Sequence, residues 1–353
     1  MGHKAMIAMS GGVDSAVAAY LMLQEGTDCV GGTLRLYTGA EECKCSSRKA
    51  VEDAENVARR LGIPFYVLEA EQAFKTNVMD AFVEAYEQGL TPNPCVACNR
   101  HLKFRYLLER AEEMGCDTVV TGHYARIRQD GGRYLLYRGE DSAKDQTYFL
   151  YTLSQYQLAH TRFPLGELTK EQTRQIAREQ DFLVAGKRDS QDICFVPDGD
   201  YLAFMERYTG KRYRPGDFLD AEGKVVGKHR GAAGYTLGQR KGLGLAMGCP
   251  VYVCGKDMGR NTVTVGPEAL LMRRTLIATD CNWFPFDTLT EPMRIRAKTR
   301  SRQIEQPAVV YPEGDGKIRV VFEEPQRAST PGQAVVMYDG DLVVGGGTIT
   351  EVL

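Results

Sequence analysis

Two groups of residues in this sequence have the types and the spacing to do chemistry. The first is the hexapeptide Ser10-Gly11-Gly12-Val13-Asp14-Ser15. Adjacent glycines let backbone N–H groups approach an anion closely, serine hydroxyls add donors, and a helix starting just after them contributes its dipole, so the segment is suited to cradle a pyrophosphate. No Gly-Lys-Ser/Thr follows, which excludes a Walker A loop, and the third glycine of the dinucleotide fingerprint is missing. The plainer alternative is a tight strand-to-helix turn capped by Asp14 or Ser15. The second group consists of thiols, Cys95-Val96-Ala97-Cys98 and Cys194. Pro92 and Pro94 impose an extended turn, and a helix is expected to begin at Asn99. That helix would set its unpaired N-terminal amides beside Cys98 and favour the thiolate there. Cys194 stands among Asp189, Asp192 and Asp198, which raise a thiol pKa, so any activation of Cys194 has to come from elsewhere in the fold. A buried, inert cysteine is the alternative for each of the three. Cys43-Lys44-Cys45 is too short for a relaxed disulfide and reads as a pair of exposed ordinary thiols, with a supplementary sulfur or metal role as the other option. Cys29, Cys116, Cys249, Cys254 and Cys281 read as packing residues.

Cations form a third pattern. Arg294, Arg296, Lys298, Arg300 and Arg302 occupy every second position. At strand periodicity all five project from one face, as needed to follow a phosphate backbone, unless they protect a solvated edge strand. Arg100, Lys103 and Arg105, then Lys211-Arg212-Tyr213-Arg214, then the stretch 228–241 supply further basic surfaces. His123, beside Gly122 after a strand end, stands either where ligands bind in parallel sheets or in the core.

The elements that must position these residues follow from periodicity. Lys4 to Met9 reads as a buried strand, Asp14 to Glu25 as a helix stopped by Gly26, and Cys29 to Leu36 as a second strand. Ser47 opens a helix closed by Gly62, and Ile63 to Leu68 is a third strand. Helices over 74–88 and 99–114, a strand over 118–121 and a helix over 169–180 complete an α/β pattern, a parallel sheet flanked by helices. A loop is expected over 186–200. Beyond about 205 glycine and proline become frequent and the runs are short and β-like, for example 251–254, 262–265, 318–322 and 334–337. The expected domains are 1–205, a small middle domain 206–272, and a final β-barrel or sandwich 273–353.

The 353 residues are 43% hydrophobic and 25% charged, with 44 basic and 46 acidic side chains and a formal charge of -2. This is the balance of an ordinary soluble protein of two or three domains, and bulk charge alone predicts no partner. No apolar run reaches membrane-spanning length and the first residues resemble neither a secretory signal nor a transit peptide, so a cytoplasmic protein without a membrane partner is expected. Ten cysteines in such a chain argue against a disulfide framework.

Ser10 to Ser15 resembles the PP-loop of the ATP pyrophosphatases, which split ATP between the α and β phosphates and adenylate a substrate oxygen. Further segments appear in the order they take in one branch of that superfamily, the tRNA-specific 2-thiouridylases. They are Thr91-Pro92-Asn93-Pro94 with Cys98-Asn99, Thr121-Gly122-His123-Tyr124, Lys144 to Leu150, Asp189-Ser190 with Ile193-Cys194-Phe195, Tyr235 to Gly242, and Thr330-Pro331-Gly332-Gln333. The resemblance spans nearly the whole chain and implies a PP-loop (HUP-like) catalytic domain, a small central tRNA-binding domain and a C-terminal β-barrel. The implied activity is ATP-dependent 2-thiolation of the wobble uridine in a tRNA anticodon loop, with Mg2+. An unpaired loop base costs little to extrude into a pocket.

By the same resemblance ATP is held by Ala8, Met9, Ser10, Gly11, Gly12, Val13, Asp14, Ser15, Leu34 and Gly122. Cys194 receives a persulfide sulfur from a cysteine desulfurase or a sulfur-relay protein, and Cys98 is the thiol that releases it. His123, Lys144, Asp145, Gln146, Arg300, Ser301 and Gln333 match tRNA-contacting positions, and Asn93, Pro94 and Cys95 match those facing the target base. Ser301 stands where an aromatic residue is common. A second departure matters more, because the familiar motif is Asn-Pro-Asp and this chain has Asn93-Pro94-Cys95. Three thiols, Cys95, Cys98 and Cys194, are then available as catalytic residues or as metal ligands. A [4Fe-4S] cluster with one open iron, a persulfide and disulfide route, and a structural zinc lacking its fourth ligand all remain open. Two competing functions are an amide-forming PP-loop ligase, which leaves these thiols without purpose, and an RNA-binding protein with a vestigial nucleotide loop.

Overall fold

The computed structural model describes residues 4–37, 47–187 and 193–353. The first part of the chain runs β1 (Lys4–Ala8), α1 (Val13–Gln24), β2 (Asp28–Arg35), α2 (Arg48–Leu61), β3 (Phe65–Glu69), α3 (Glu71–Phe74), α4 (Ala81–Glu87), α5 (Pro94–Cys98), α6 (Leu107–Glu113) and β4 (Thr118–Val120). It continues through β5 (Ala125–Asp130), β6 (Arg133–Arg138), α7 (Gln155–Ala159), β7 (Thr161–Arg162), α8 (Lys170–Glu179) and α9 (Tyr201–Thr209). Five of these strands form a parallel sheet in the order β3-β2-β1-β4-β7. The chain leaves β1 toward β2 and β3 on one side and returns to β4 on the other. The carboxyl ends of β1 and β4 therefore flank the switch point where this architecture binds ligands.

Local chemistry accounts for the helices. Ala16, Val17, Ala18 and Ala19 of α1 are fully buried, and their small side chains let the helix lie close against the sheet. Ser47 caps α2 by accepting a hydrogen bond from Ala50 N at 3.2 Å, and Gly62 ends it in the left-handed region at φ 71°. The two helices expected over 74–88 and 99–114 are longer than their periodicity indicated. A π-helical stretch, Lys75–Asp80, joins α3 to α4, and another, Asn99–Tyr106, joins α5 to α6. Each insertion shifts the buried face by part of a turn and breaks the 3.6-residue pattern.

The middle of the chain forms a four-stranded sheet from β8 (Gly216–Leu219), β9 (Val225–His229), β10 (Tyr252–Asp257) and β11 (Thr262–Gly266), in the order β10-β11-β8-β9 around Phe218, Val253 and Val263. The last part contributes β12 (Met272–Trp283), β13 (Met293–Lys298), β14 (Gln306–Pro312), β15 (Ile318–Arg327), β16 (Ala334–Asp339) and β17 (Leu342–Val352). Their order is β12-β15-β14-β13-β16-β17, and β12 also pairs with β17, so six strands close into a barrel rather than a sandwich. The β5–β6 hairpin extends that sheet through Leu342 paired with Tyr137, so a piece of the first 205 residues is built onto the barrel. Residue 205 itself falls inside α9, whose Leu202, Phe204 and Met205 pack on Phe74 and Phe82 of the first part.

The expected cationic stripe over 294–302 is corrected by this topology. β13 lies between β14 and β16, not at an edge, and ends at Lys298. Arg294 and Arg296 are exposed, but Lys298 is buried and Arg300 and Arg302 lie in the following turn. The alternation stops where the strand stops.

Candidate active site

The nucleotide loop leaves β1 at the switch point. Gly11 has φ 68°, and a Cβ there would stand 2.2 Å from the carbonyl oxygen of Ala50 in α2, so only glycine lets the loop pass. Gly12 caps α1 without a side-chain bond, which sets aside capping by Asp14 or Ser15 as the reason for the turn and leaves first-turn amides directed at the loop. The serines brace the loop: Ser15 Oγ donates to Gly12 O at 3.1 Å and accepts from Ser10 N at 3.2 Å. Asp14 turns away from the helix end. Its oxygens accept from Lys170 Nζ at 2.7 and 2.9 Å and from Tyr124 OH at 3.1 Å. Gly122, after β4, comes so close to α1 that a Cβ would lie 2.7 Å from the backbone of Asp14. Lys170, Tyr124 and a second lysine, Lys187, whose Nζ donates to Gly11 O at 2.7 Å, are site residues that local spacing did not reveal, since they lie far from the loop in sequence.

The thiols are arranged differently from expectation. The helix carrying them starts at Pro94, not Asn99, because Asn93 Oδ1 accepts from Val96 N at 3.3 Å and caps it, with proline at the first position. The first-turn amides therefore act on Cys95, whereas Cys98 ends the first α-helical segment. Cys95 is exposed to solvent. Loss of hydration there pushes its thiol pKa above the ordinary value, opposed by the charge of Lys103. Cys98 and Cys194 are both half-buried and pack on the same apolar cluster, with Phe74, Phe82, Phe195 and Leu34. Phe195 anchors Cys194: its ring lies 5.1–5.7 Å from Phe74, Phe82 and Phe204. Such burial with edge-on contacts contributes roughly 2–4 kcal/mol, ample to fix the neighbouring thiol. Among the described residues no three His, Cys, Asp or Glu side chains are grouped to hold a metal ion, so Cys95, Cys98 and Cys194 are not assembled as ligands of a cluster or a zinc ion in this arrangement. Cys43, Cys45, Asp189, Ser190 and Asp192 lie outside the described residues. Cys29 and Cys116 are buried, but Cys249 is exposed and Cys254 and Cys281 only half-buried, so packing describes just the first two fully.

The barrel holds the segment in front of these thiols. Thr91 N donates to Pro331 O at 2.9 Å, and Gln333 Nε2 donates to Thr91 O and Pro92 O at 2.9 and 3.2 Å. Gly332, at φ 90°, packs so close that a Cβ there would stand 3.0 Å from the backbone of Thr91.

Three family models cover the chain: a tRNA methyl transferase HUP domain over residues 3–198, a tRNA methyl transferase PRC-barrel domain over 202–267, and an aminomethyltransferase β-barrel domain over 273–349. The chain is 48% identical to the tRNA-specific 2-thiouridylase MnmA of Clostridioides difficile, covering 100% of this chain and 99% of that one. It is 49% identical to the MnmA of Clostridium acetobutylicum over 99% and 100% of the two chains, and 50% identical to that of Acetivibrio thermocellus over 98% and 99%. The chain belongs to the MnmA family of tRNA-specific 2-thiouridylases.

Of the positions that MnmA resemblance assigns to tRNA, His123 and the Asp145 side chain are buried, whereas Gln146, Arg300 and Gln333 are half-buried and engaged in hydrogen bonds within the fold. His123 is buried with its ring between Phe104 and Phe163, and Thr121 Oγ1 lies 2.6 Å from Nδ1. Burial holds its pKa well below the usual value and keeps the ring neutral. This is the core histidine of the two readings. Asp145 pairs with Lys298 at 3.4 Å, both side chains about 6% exposed, and Gln146 Oε1 accepts from Tyr124 N at 2.9 Å. Arg300 donates to Leu237 O, Ala328 O and Thr330 Oγ1 at 3.0–3.3 Å. It ties the 235–242 motif to the barrel, and burial lowers its pKa. Gln333 clamps Thr91 and Pro92. Lys144 and Ser301 are half-buried, while Cys95 is exposed. The other basic groups are largely matched: Arg100 with Asp280, Lys211 with Glu87, Arg212 with Glu206, Lys228 with Asp217, Arg230 with Asp200. Arg240 and Lys241 are exposed, and Lys241 lines a cleft of about 490 Å³ with Asp198, Arg230, Tyr235 and Gln239. That cleft lies between residues 198–202 and the 235–242 motif. No helix among the described residues is long and apolar enough to cross a membrane.

Proposed function

We propose that this chain catalyses the ATP-dependent 2-thiolation of the wobble uridine of tRNA, with sulfur carried as a persulfide on Cys194 and released by Cys98. The observation that carries this reading is the convergence of Cys98 and Cys194 on one apolar cluster that also contains Leu34, at the carboxyl end of the strand next to the nucleotide loop. Two remote thiols on one cluster suit passage of sulfur from one to the other.

A uridine carbonyl oxygen is a very poor leaving group, so it must be activated first. O2 of the base attacks the α-phosphorus of MgATP while the N3 proton is lost, and pyrophosphate departs with the electron pair of the broken P–O bond. The backbone amides around Gly12 are placed to bind the phosphates, with Mg2+ arriving as part of the substrate. The terminal sulfur of the Cys194 persulfide, loaded by a cysteine desulfurase or a relay protein, then attacks C2. The C2–O bond breaks and AMP leaves. The Cys98 thiolate attacks Cys194 Sγ, the S–S bond breaks with its electron pair staying on the sulfur now attached to C2, and N3 regains a proton. A Cys98–Cys194 disulfide remains, which an external dithiol reduces before the next cycle. Cys95, exposed at the start of α5 with Asn93 and Pro94, is assigned to the face that meets the target base. Half-buried Lys144 and Ser301 are assigned to the tRNA, and Asp145, Gln146, Arg300 and Gln333 to the framework behind it.

Single Cys→Ser variants test the sulfur route. With unmodified tRNA, MgATP and a persulfide donor, Cys98→Ser and Cys194→Ser abolish catalytic turnover to 2-thiouridine, whereas Cys95→Ser retains it. Equal loss in all three, together with iron and acid-labile sulfide in anaerobically prepared protein, would replace this route by a three-thiolate [4Fe-4S] site.

A further inference from the structure

We infer that Lys187 is the phosphate-binding cation of the nucleotide loop, supplied from outside the loop's own sequence. The inference rests on the reading of Ser10–Ser15 as an ATP site. Phosphate loops of the Walker type carry a lysine within the loop itself, and this one carries none. The fold brings two lysines to it instead. Lys170 is committed: its side chain is about 10% exposed and bonds both oxygens of Asp14. Lys187 is differently placed. Its Nζ donates to the carbonyl oxygen of Gly11 at 2.7 Å, in the middle of the loop, and forms an ion pair with Asp53 of α2.

Asp53 lies one helical turn beyond Ala50, the residue whose carbonyl presses on Gly11. The same helix thus fixes both the loop backbone and the counter-ion of the lysine. The Lys187 side chain is about a third exposed and that of Asp53 about 15%, so the ammonium is held at the loop while remaining open to solvent. A peptide carbonyl is a weaker acceptor for an ammonium than a phosphate oxygen, because the phosphate oxygen carries negative charge and adds Coulomb attraction to the hydrogen bond. When triphosphate enters the amide cradle, the flexible four-carbon stem lets Nζ exchange the Gly11 carbonyl for a phosphate oxygen while Asp53 keeps it in place.

The test is nucleotide binding to the full-length protein without tRNA, by calorimetric titration of MgATP and of adenosine into wild type, Lys187→Ala, Lys187→Arg and Asp53→Asn. Lys187→Ala weakens MgATP binding by about 10- to 100-fold, the range of one charge-assisted hydrogen bond, and leaves adenosine affinity unchanged. Lys187→Arg recovers most of the loss, and Asp53→Asn, which loosens the hold on Nζ, weakens MgATP binding by less than Lys187→Ala and leaves adenosine affinity unchanged. Unchanged MgATP affinity in Lys187→Ala overturns the proposal. So does a matched loss of MgATP and adenosine affinity in Lys187→Ala and Asp53→Asn, which would make the pair a structural brace only. A Lys187→Ala chain that melts early is replaced by Lys187→Gln, judged by the same contrast between MgATP and adenosine. Failure of wild type to bind MgATP at all refutes the nucleotide-site reading itself, a result distinct from either of these.

Discussion

Gln333, in the turn before β16 of the barrel, donates two side-chain hydrogen bonds from Nε2 to the carbonyls of Thr91 and Pro92, just ahead of the helix that bears Cys95 and Cys98. The C-terminal barrel therefore positions the thiols of the N-terminal part through backbone acceptors, and the glutamine does its work behind the site. Gln333→Ala is expected to lower the turnover rate for thiolation by about 10- to 100-fold, the cost of an ångström-scale misplacement, while MgATP affinity stays within error of wild type. Steady-state kinetics alongside nucleotide titration measure both, and an unchanged rate would show that the clamp is dispensable.

In the Lys170–Asp14 contact the lysine side chain is about 10% exposed and the carboxylate about a third, so the lysine depends on the carboxylate more than the reverse. Lys170→Met should cost about 1–2 kcal/mol of unfolding free energy in urea, since the carboxylate left behind is partly solvated and keeps the Tyr124 OH bond. Lys170→Met and Asp14→Asn should couple by more than about 0.5 kcal/mol in a double-mutant cycle; strict additivity would mean that the pair does not act as one unit.

Gly122 has an ordinary backbone conformation, so its requirement for glycine is one of space alone. Gly122→Ala pushes a methyl into the backbone of Asp14 and displaces the loop, and MgATP binding should fall at least about tenfold with the far-ultraviolet circular dichroism of wild type retained. Gly259→Ala, where a methyl meets only Asp257 at an ordinary 3.5 Å, should leave binding unchanged.

Buried His123 carries a pH prediction. Its folded-state pKa lies well below the ordinary 6.5, so the unfolded chain takes up a proton first as pH falls. The stability it contributes is complete above about pH 6.5 and is lost below it, at up to about 1.4 kcal/mol per pH unit. His101 and His229 are shifted in the same direction, so the comparison of wild type with His123→Phe isolates this residue. The variant should show a flatter decline of unfolding free energy between pH 6.5 and 5; parallel curves would contradict the assignment of a neutral, buried ring.

Much of this fold was legible because local signals agreed with it. The Ser47 cap, the Gly62 stop, the apolar run of β1 and the Gly11-Gly12 turn each specify their element within a few residues. Three features were not legible, for separable reasons. π-helical insertions at 75–80 and 99–106 break the helical period, which hid the true start of α5 at Pro94 and moved the helix-terminal amides from Cys98 to Cys95. Alternation of cations over 294–302 is a one-dimensional pattern, whereas exposure depends on neighbours: β16 and the Asp145 carboxylate enclose Lys298, and the chain turns before Arg300. Lys170, Lys187 and Gln333 act across more than 150 residues of sequence, where no spacing rule operates and only the folded topology brings them to Asp14, Gly11 and Thr91.

The central claim is that ATP cleavage between the α and β phosphates drives sulfur onto C2 of the wobble uridine. It is tested most directly by incubating the full-length protein with unmodified tRNA, MgATP and a persulfide donor, then digesting the tRNA to nucleosides and quantifying 2-thiouridine together with the nucleotide products. The account predicts 2-thiouridine only when ATP is present, with one AMP and one pyrophosphate formed for each thiolated base. Thiolation without ATP, or accompanied by ADP and phosphate in place of AMP and pyrophosphate, would contradict it.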